Sequence, residues 1–479
     1  MSNLLKKQQI LATTAFGEAS VANPSPVVQI TGQYGLLDDV LTATLGGTTE
    51  TIDSKFSVST GTGASNVAAI VSRREAQCKA GQGLLCRITA VFSQGVANST
   101  QQAGFITSES SFCFGYNGAD FGIVHSRDGQ LEYQELLVTS SAVGNQAATI
   151  TVDGVDYIVN LTTGTEVHNA FEIATSLNTQ VGGYSFTSNS NTVYALAQLP
   201  DFGGGSFAFT SANAVASWTQ IQNGTIPSET WVNKADWNVR SDIDIDPALG
   251  NVYQIQMQYL GFGGIRFFVE DPETAEFVLV HVIQYANSAT VPSVSNPIFR
   301  VGWAVRNTGN TTDIILQGAS AAAFIEGKIE YDGKPRGFCQ TQPSVGVTRV
   351  NVLGFRNRLT FNGTANRAEI IPLILSLATD TTKIAVFEII QDPVPSGGDL
   401  IWSYVDQNLS LMEVTTDNTP IVGGTPVACI NVTSGSAAVL DMQKILESQS
   451  PNAEFSITAR VTSGLLSEMS ASGTWKEDL

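Results

Sequence analysis

Along most of the chain, apolar positions alternate with polar ones in short runs broken by Gly, Asn, Asp and Pro, the period-two pattern of half-buried β-strands. The clearest run is 252–260, where Tyr253, Ile255, Met257 and Tyr259 alternate with Gln254, Gln256 and Gln258. Residues 84–92, 111–116 and 121–125 read as further strands, with Asp128-Gly129 turning the last of them back toward Leu131-Glu132-Tyr133. A second Asp-Gly pair, Asp153-Gly154, joins 149–152 to 155–159 as a hairpin. Only after it does the period change: Val167, Phe171, Ala174, Leu177 and Val181 recur at helical spacing, with Thr165 placed to cap the helix.

These elements predict a mainly β protein: a jelly-roll β-sandwich interrupted by a small α+β inserted domain and followed by a C-terminal β-sandwich. The expected organisation is an N-terminal arm over 1–30, a discontinuous sandwich over 31–138 with 236–330, an inserted hairpin-and-helix domain over 139–235, a linker over 331–348, and the terminal sandwich over 349–479. The arm is set by Asn23-Pro24-Ser25-Pro26, where two prolines forbid helix. Richness in Pro, Gly, Thr and Gln marks the linker.

Composition narrows the function. Of 479 residues, 24 are Lys or Arg and 43 are Asp or Glu, so charged residues make up 14% and the net charge is −19. That balance gives no basic surface for a phosphate backbone, and nucleic acid is excluded as a partner. Neither a cleaved signal nor an apolar run long enough for membrane insertion is expected. The cysteines, Cys78, Cys86, Cys113, Cys339 and Cys429, lack C-x-x-C spacing and read as small buried residues of a reducing compartment.

The segment VYQIQMQYLG followed by GIRFFVEDPETAEFVLVHVIQYAN, within 252–327, resembles the concanavalin/laminin-G type of jelly roll. The inserted stretch ATITVDGVDYIVNLTTGTEVHNAFEIATSLN resembles the small hairpin-and-helix modules of bacteriophage and large-virus virion proteins. Taken together, arm, jelly roll and low-charge terminal sandwich resemble a virion structural protein of the fibre, spike or decoration kind. This resemblance implies a homo-oligomer, with a trimer the commonest arrangement, contact with other virion proteins through the arm, assembly in the host cytoplasm, and contact with host surface carbohydrate.

Four groups of residues are candidates for chemistry. Asp242, Asp244 and Asp246 would lie on one face of an extended segment, where their repulsion is relieved by water, by basic partner residues or by Ca²⁺. Pro247 stands where an EF-hand loop needs Gly. Trp218, Trp231 and Trp237 cluster in sequence where the insert rejoins the sandwich, and are the candidate glycan or partner contacts, whereas Trp303 and Trp402 fall in strand patterns and read as core. Glu270, Asp271 and Glu273 form the nearest approach to a glycosidase carboxylate pair, but Pro272 places them in a turn. The three histidines, His125, His168 and His281, accompany no Gly-x-Ser-x-Gly elbow, so no catalytic triad is indicated. The expected function is therefore a non-enzymatic virion subunit, the alternatives being a carbohydrate-binding adhesin outside a virion or a jelly-roll glycan-cleaving enzyme.

Overall fold

The computed structural model describes residues 25–478 except 38, 199–205, 295, 327–332, 434, 447–448 and 465. Residues 1–24, the greater part of the expected arm, lie outside the described residues. The chain is mainly β and divides into two compact units.

The first unit takes in the described residues of Met1–Leu131, Gln198–Asp201 and Gly224–Ile329. It is a sandwich of a nine-stranded and an eight-stranded antiparallel sheet. Alternation along each strand sends Phe105, Phe112, Phe114, Phe267, Phe299 and Trp303 into one shared core. The indole N–H of Trp303 donates to the Thr89 carbonyl at 2.9 Å, which satisfies its one polar atom inside that core. Ser25–Thr31 is a strand of the nine-stranded sheet, paired with Ser320–Ile325. In the eight-stranded sheet the order runs Ser228–Asn233, Asp120–Arg127, Ser111–Asn117, Ser99–Ile106, Ile298–Asn307, Val67–Ser72, Val40–Leu45. Asp120–Arg127 therefore pairs with Ser111–Asn117 and Ser228–Asn233, not with residues 131–133. Asp128, at φ 65°, ends the strand where the chain leaves this sheet, so the expected hairpin at Asp128-Gly129 does not form.

The second unit takes in the described residues of Glu132–Ala197, Phe202–Asn223 and Glu330–Leu479. Its inserted part has a four-stranded and a three-stranded sheet around the helix Glu166–Gln180, whose cap, Thr165, accepts from the His168 N–H. The hairpin Gln146–Val152 with Val155–Leu161 turns on Asp153 and Gly154, which have φ of 53° and 78°, the left-handed pair such a turn needs. The terminal part is a sandwich of a four-stranded and a six-stranded sheet around Phe355, Phe387, Leu377, Ile457 and Trp475. Within the expected linker 331–348, residues Lys334–Val345 form an edge strand of that sandwich paired with Ser467–Asp478. Pro335 and Pro343 are tolerated there because an edge strand bonds on one side only.

The inserted part is tied to the terminal sandwich by a buried polar network. Arg356 pairs with Glu413 at 2.7 Å and donates to the Ser188 carbonyl at 2.8 Å, while Asn189 donates to Glu413 at 2.6 Å. The hydroxyls of Tyr194 and Tyr404 lie 3.0 Å apart, and His168 bonds Asp399. Between Arg127 and Lys234 the sequence has no Lys or Arg, and the insert's own polar side chains answer its carboxylates: Gln134 and Tyr184 donate to Glu132, and Thr162 and Asn169 donate to Glu172.

Candidate ligand-binding face

The eight-stranded sheet has one face in the core and one outside it. Because Phe112, Phe114, Ile123 and His125 point inward, Ser111, Cys113, Val124 and Ser126 point outward by strand alternation. Register then aligns outward positions across strands. One row runs Trp231, Val124, Cys113, Gly104, Gly302, Val71, and the next Asn233, Gly122, Gly115, Gln102, Ala304, Ala69. Most of these side chains are small, and Cys113 and Val124 are buried in a small cluster that Trp231 packs against.

Two long side chains cross this face. Gln102 Nε2 donates to Glu229 Oε1 at 2.9 Å, and Trp231 Nε1 donates to Glu229 Oε2 at 2.8 Å. Gln102 and Glu229 stand on strands three apart in the sheet order. Glu229 is level in register with Ile106, four residues from Gln102, so in a flat sheet their backbones would lie about 20 Å apart and the sheet must curl around this face for the side chains to meet. Beneath them is a half-open cavity of about 80 Å³, floored by Ala69 and Ala304 and walled by Ile226 and Pro227. Ser111 and Ser126, hydrogen-bonded to each other at 2.7 Å, and Thr100 add hydroxyls to its lining. Each Glu229 oxygen accepts one N–H and keeps a further lone pair. Trp231 rests on the small apolar cluster of Ile106, Cys113 and Val124 and is itself half-buried. The arrangement therefore offers two oriented acceptors and an amide at a cavity of mixed polarity, with the Trp231 indole held beside Glu229 outside the cavity lining, which is the chemistry that holds a small polar ligand with an apolar face.

Of the three tryptophans that cluster in sequence, only Trp231 belongs to this face. Trp237, 4% exposed, is a core residue packed edge-on against Phe114 and Phe121, so its ring is not available as a platform. Trp218 belongs to the second unit, where it is half-buried against Phe207 at 4.8 Å. Strand geometry separates them: Trp231 is outward on its strand, whereas Trp237 follows the 3₁₀ turn Lys234–Asp236 into the core.

Asp242, Asp244 and Asp246 are exposed and alternate with the buried Ile243 and Ile245. Asp242 pairs with Arg240 at 3.5 Å, and Asp246 accepts from the Ala248 N–H at 2.9 Å. Among the described residues, no group of three or more His, Cys, Asp or Glu is arranged to hold a metal ion. In the turn after 270, Asp271 caps the Glu273 N–H at 2.9 Å and pairs with Arg240 at 3.3 Å, a turn-forming role.

The histidines are structural. His125 is stacked on Phe112 and bonded to the Ser293 carbonyl and the Tyr285 hydroxyl, each at 3.0 Å, and burial holds its pKa below the ordinary value. His281, also depressed by burial, accepts from the Asn238 N–H at 3.2 Å. For His168 burial acts downward, but the Asp399 hydrogen bond and charge, then Glu172, outweigh it and raise its pKa. Among the cysteines, Cys78, Cys86 and Cys113 are buried as expected, whereas Cys339 and Cys429 are exposed on edge strands of the terminal sandwich.

Gln102 and Glu229 escaped the sequence reading. Glu229-Thr230-Trp231 does carry a signal, since residues two apart on a strand share a face. Gln102 carries none, because its partner is set by sheet order.

No protein-family model matches the chain, and no curated protein matches it. Among solved structures it is similar to the potassium-bound carbohydrate recognition domain of Emp46p, at 8% identity and a TM-score of 0.25, over 64% of this chain and 100% of that one. It is also similar to lectin II from Ulex europaeus, at 10% identity and a TM-score of 0.24, over 63% and 100%. The binding domain of botulinum neurotoxin serotype D/C is similar at 9% identity and a TM-score of 0.24, over 91% and 94%.

Proposed function

We propose that the protein is a non-catalytic glycan-binding subunit that takes carbohydrate on the outer face of its eight-stranded sheet. The observation that carries this is the Glu229 carboxylate, fixed by Trp231 and Gln102 at the mouth of the cavity. A sugar ring presents C–H groups to an indole face and hydroxyl donors to a carboxylate, and both are on offer here. Cleavage is disfavoured because Glu229 is the one acid among the described lining residues, while glycoside hydrolysis uses two carboxylates. Titration of the full chain against a glycan array tests the reading: Trp231→Ala is expected to abolish binding while the variant still unfolds in one cooperative transition, at a melting temperature lowered by the packing it loses on Ile106, Cys113 and Val124. An array that stays blank, or binding indifferent to Trp231, overturns it.

The virion-subunit form of this reading is supported by a specific feature. Ile421–Val432 is a twelve-residue edge strand of the six-stranded sheet that contains no charged residue. Such an edge is a template for self-association. Light scattering on the purified chain is expected to give a multiple of 50.8 kDa, a trimer on the sequence resemblance. A monomer at all concentrations overturns the subunit proposal and leaves the glycan site standing.

A further inference from the structure

Resting on the glycan reading, we infer that this site selects uncharged glycans that present two adjacent hydroxyls to Glu229. Both carboxylate oxygens are already oriented, one by the Gln102 amide and one by the Trp231 indole, at 2.9 and 2.8 Å. The carboxylate cannot swing to suit a ligand without losing one of these bonds. Its remaining lone pairs accept and never donate, so the partner must bring donors at the spacing of the two oxygens of one carboxylate. A vicinal diol matches that spacing, and a hydrogen bond to an ionised acceptor is among the stronger ones available.

Charge sets the second half of the selection. Glu229 stands at the cavity mouth of a chain with a net charge of −19, so a carboxylate or sulfate on the ligand meets a repulsive field there. Arg306 is the one cation among the described lining residues. It pairs in register with Thr100, one strand beyond Gln102 and away from Glu229. It also lies on the strand whose Arg300 is committed to Glu75 at 2.8 Å.

The test is calorimetric titration of the full chain with lactose, cellobiose and mannobiose, then with 6′-sialyllactose and with singly deoxygenated analogues of the best disaccharide. An uncharged disaccharide is expected to bind in a Trp231-dependent manner. Removing either of two adjacent hydroxyls is expected to cost about tenfold or more in affinity. Glu229→Gln should cost as much, because the amide replaces one acceptor with a donor, and its melting curve should match the parent. Tighter binding of sialyllactose that is lost in Arg306→Gln overturns the selection while leaving the glycan reading intact. Equal binding by Glu229→Gln, or by every deoxygenated analogue, overturns it too. No Trp231-dependent binding of any neutral or anionic sugar overturns both.

Discussion

The amide of Gln102 reaches across two intervening strands to donate to the carboxylate of Glu229 at 2.9 Å. That bond is exposed, so its loss should matter to the ligand and little to the fold. Gln102→Ala is expected to lower glycan affinity about three- to tenfold and to leave stability within about 0.5 kcal/mol. Calorimetry and thermal melting measure the two quantities on one sample, and a large fall in stability would assign the bond a structural role instead.

Gly318 sits against Trp303. A Cβ there would lie 2.3 Å from the indole Nε1 and 2.4 Å from the Thr89 carbonyl that the indole bonds. Gly318→Ala should therefore cost about 1–3 kcal/mol by overpacking. Urea unfolding of the variant checks this, and an unchanged midpoint would mean the sandwich relaxes around the methyl.

In the second unit, Glu413 answers both Arg356 and Asn189 and is nearly inaccessible to water. Glu413→Ala leaves a buried guanidinium with only Glu454, at 4.0 Å, for countercharge and is expected to cost about 3–5 kcal/mol. The more exposed pair Arg349 with Glu388, at 3.3 Å, gives a control, for which Glu388→Ala should cost less than about 1 kcal/mol. Equal effects in denaturant melts would contradict the role assigned to burial.

The two units should answer pH with opposite signs. His125 and His281 in the first unit have pKa values lowered by burial, so the stability they contribute is full above about 6.5 and is lost as pH falls through their native values. In the second unit, burial raises Glu454 from 4.5 to about 7 against the pull of Arg356, aided by Asp392 and Glu413. His168 is raised as well. Their contribution is present below the unfolded values and is lost as pH rises through the native ones. Hydrogen exchange resolved by peptide between about pH 5 and 8 should show the first unit gaining protection and the second losing it. Glu454→Gln should flatten the second trend, and parallel trends in both units would refute the assignment.

Thiol labelling separates the cysteines. Burial pushes the Cys78 thiol up to about 12 and raises Cys86 and Cys113 as well, whereas Cys339 and Cys429 are exposed. Two thiols per chain should react in the native state and five after unfolding.

Much of the fold was legible because strand and helix periods are local. Tyr253, Ile255 and Met257 announced their strand, which ends at Gln258, one residue short of Tyr259, and Val167 to Val181 with Thr165 announced the helix, whose cap forms as read. The hairpin at Asp153-Gly154 formed and the one expected at Asp128-Gly129 did not, although the dipeptides are identical. Turn chemistry permits a reversal, but which strand lies alongside is decided by distant partners, here Ser228–Asn233. The same holds for 331–348, where linker-like composition hides an edge strand whose partner is the last strand of the chain.

By itself, the sequence determined the mainly β character, the single helix of the insert and the acidic, cation-free stretch between Arg127 and Lys234, since all of these depend on residue type and short spacing. Tertiary structure alone decided that Trp237 is core while Trp231 faces outward. It also brought Glu229 within reach of Gln102, 127 residues away. The reason is physical: a side chain's face is fixed by its own strand, but its neighbours across a curved sheet are fixed by strand order and register, which no local pattern encodes.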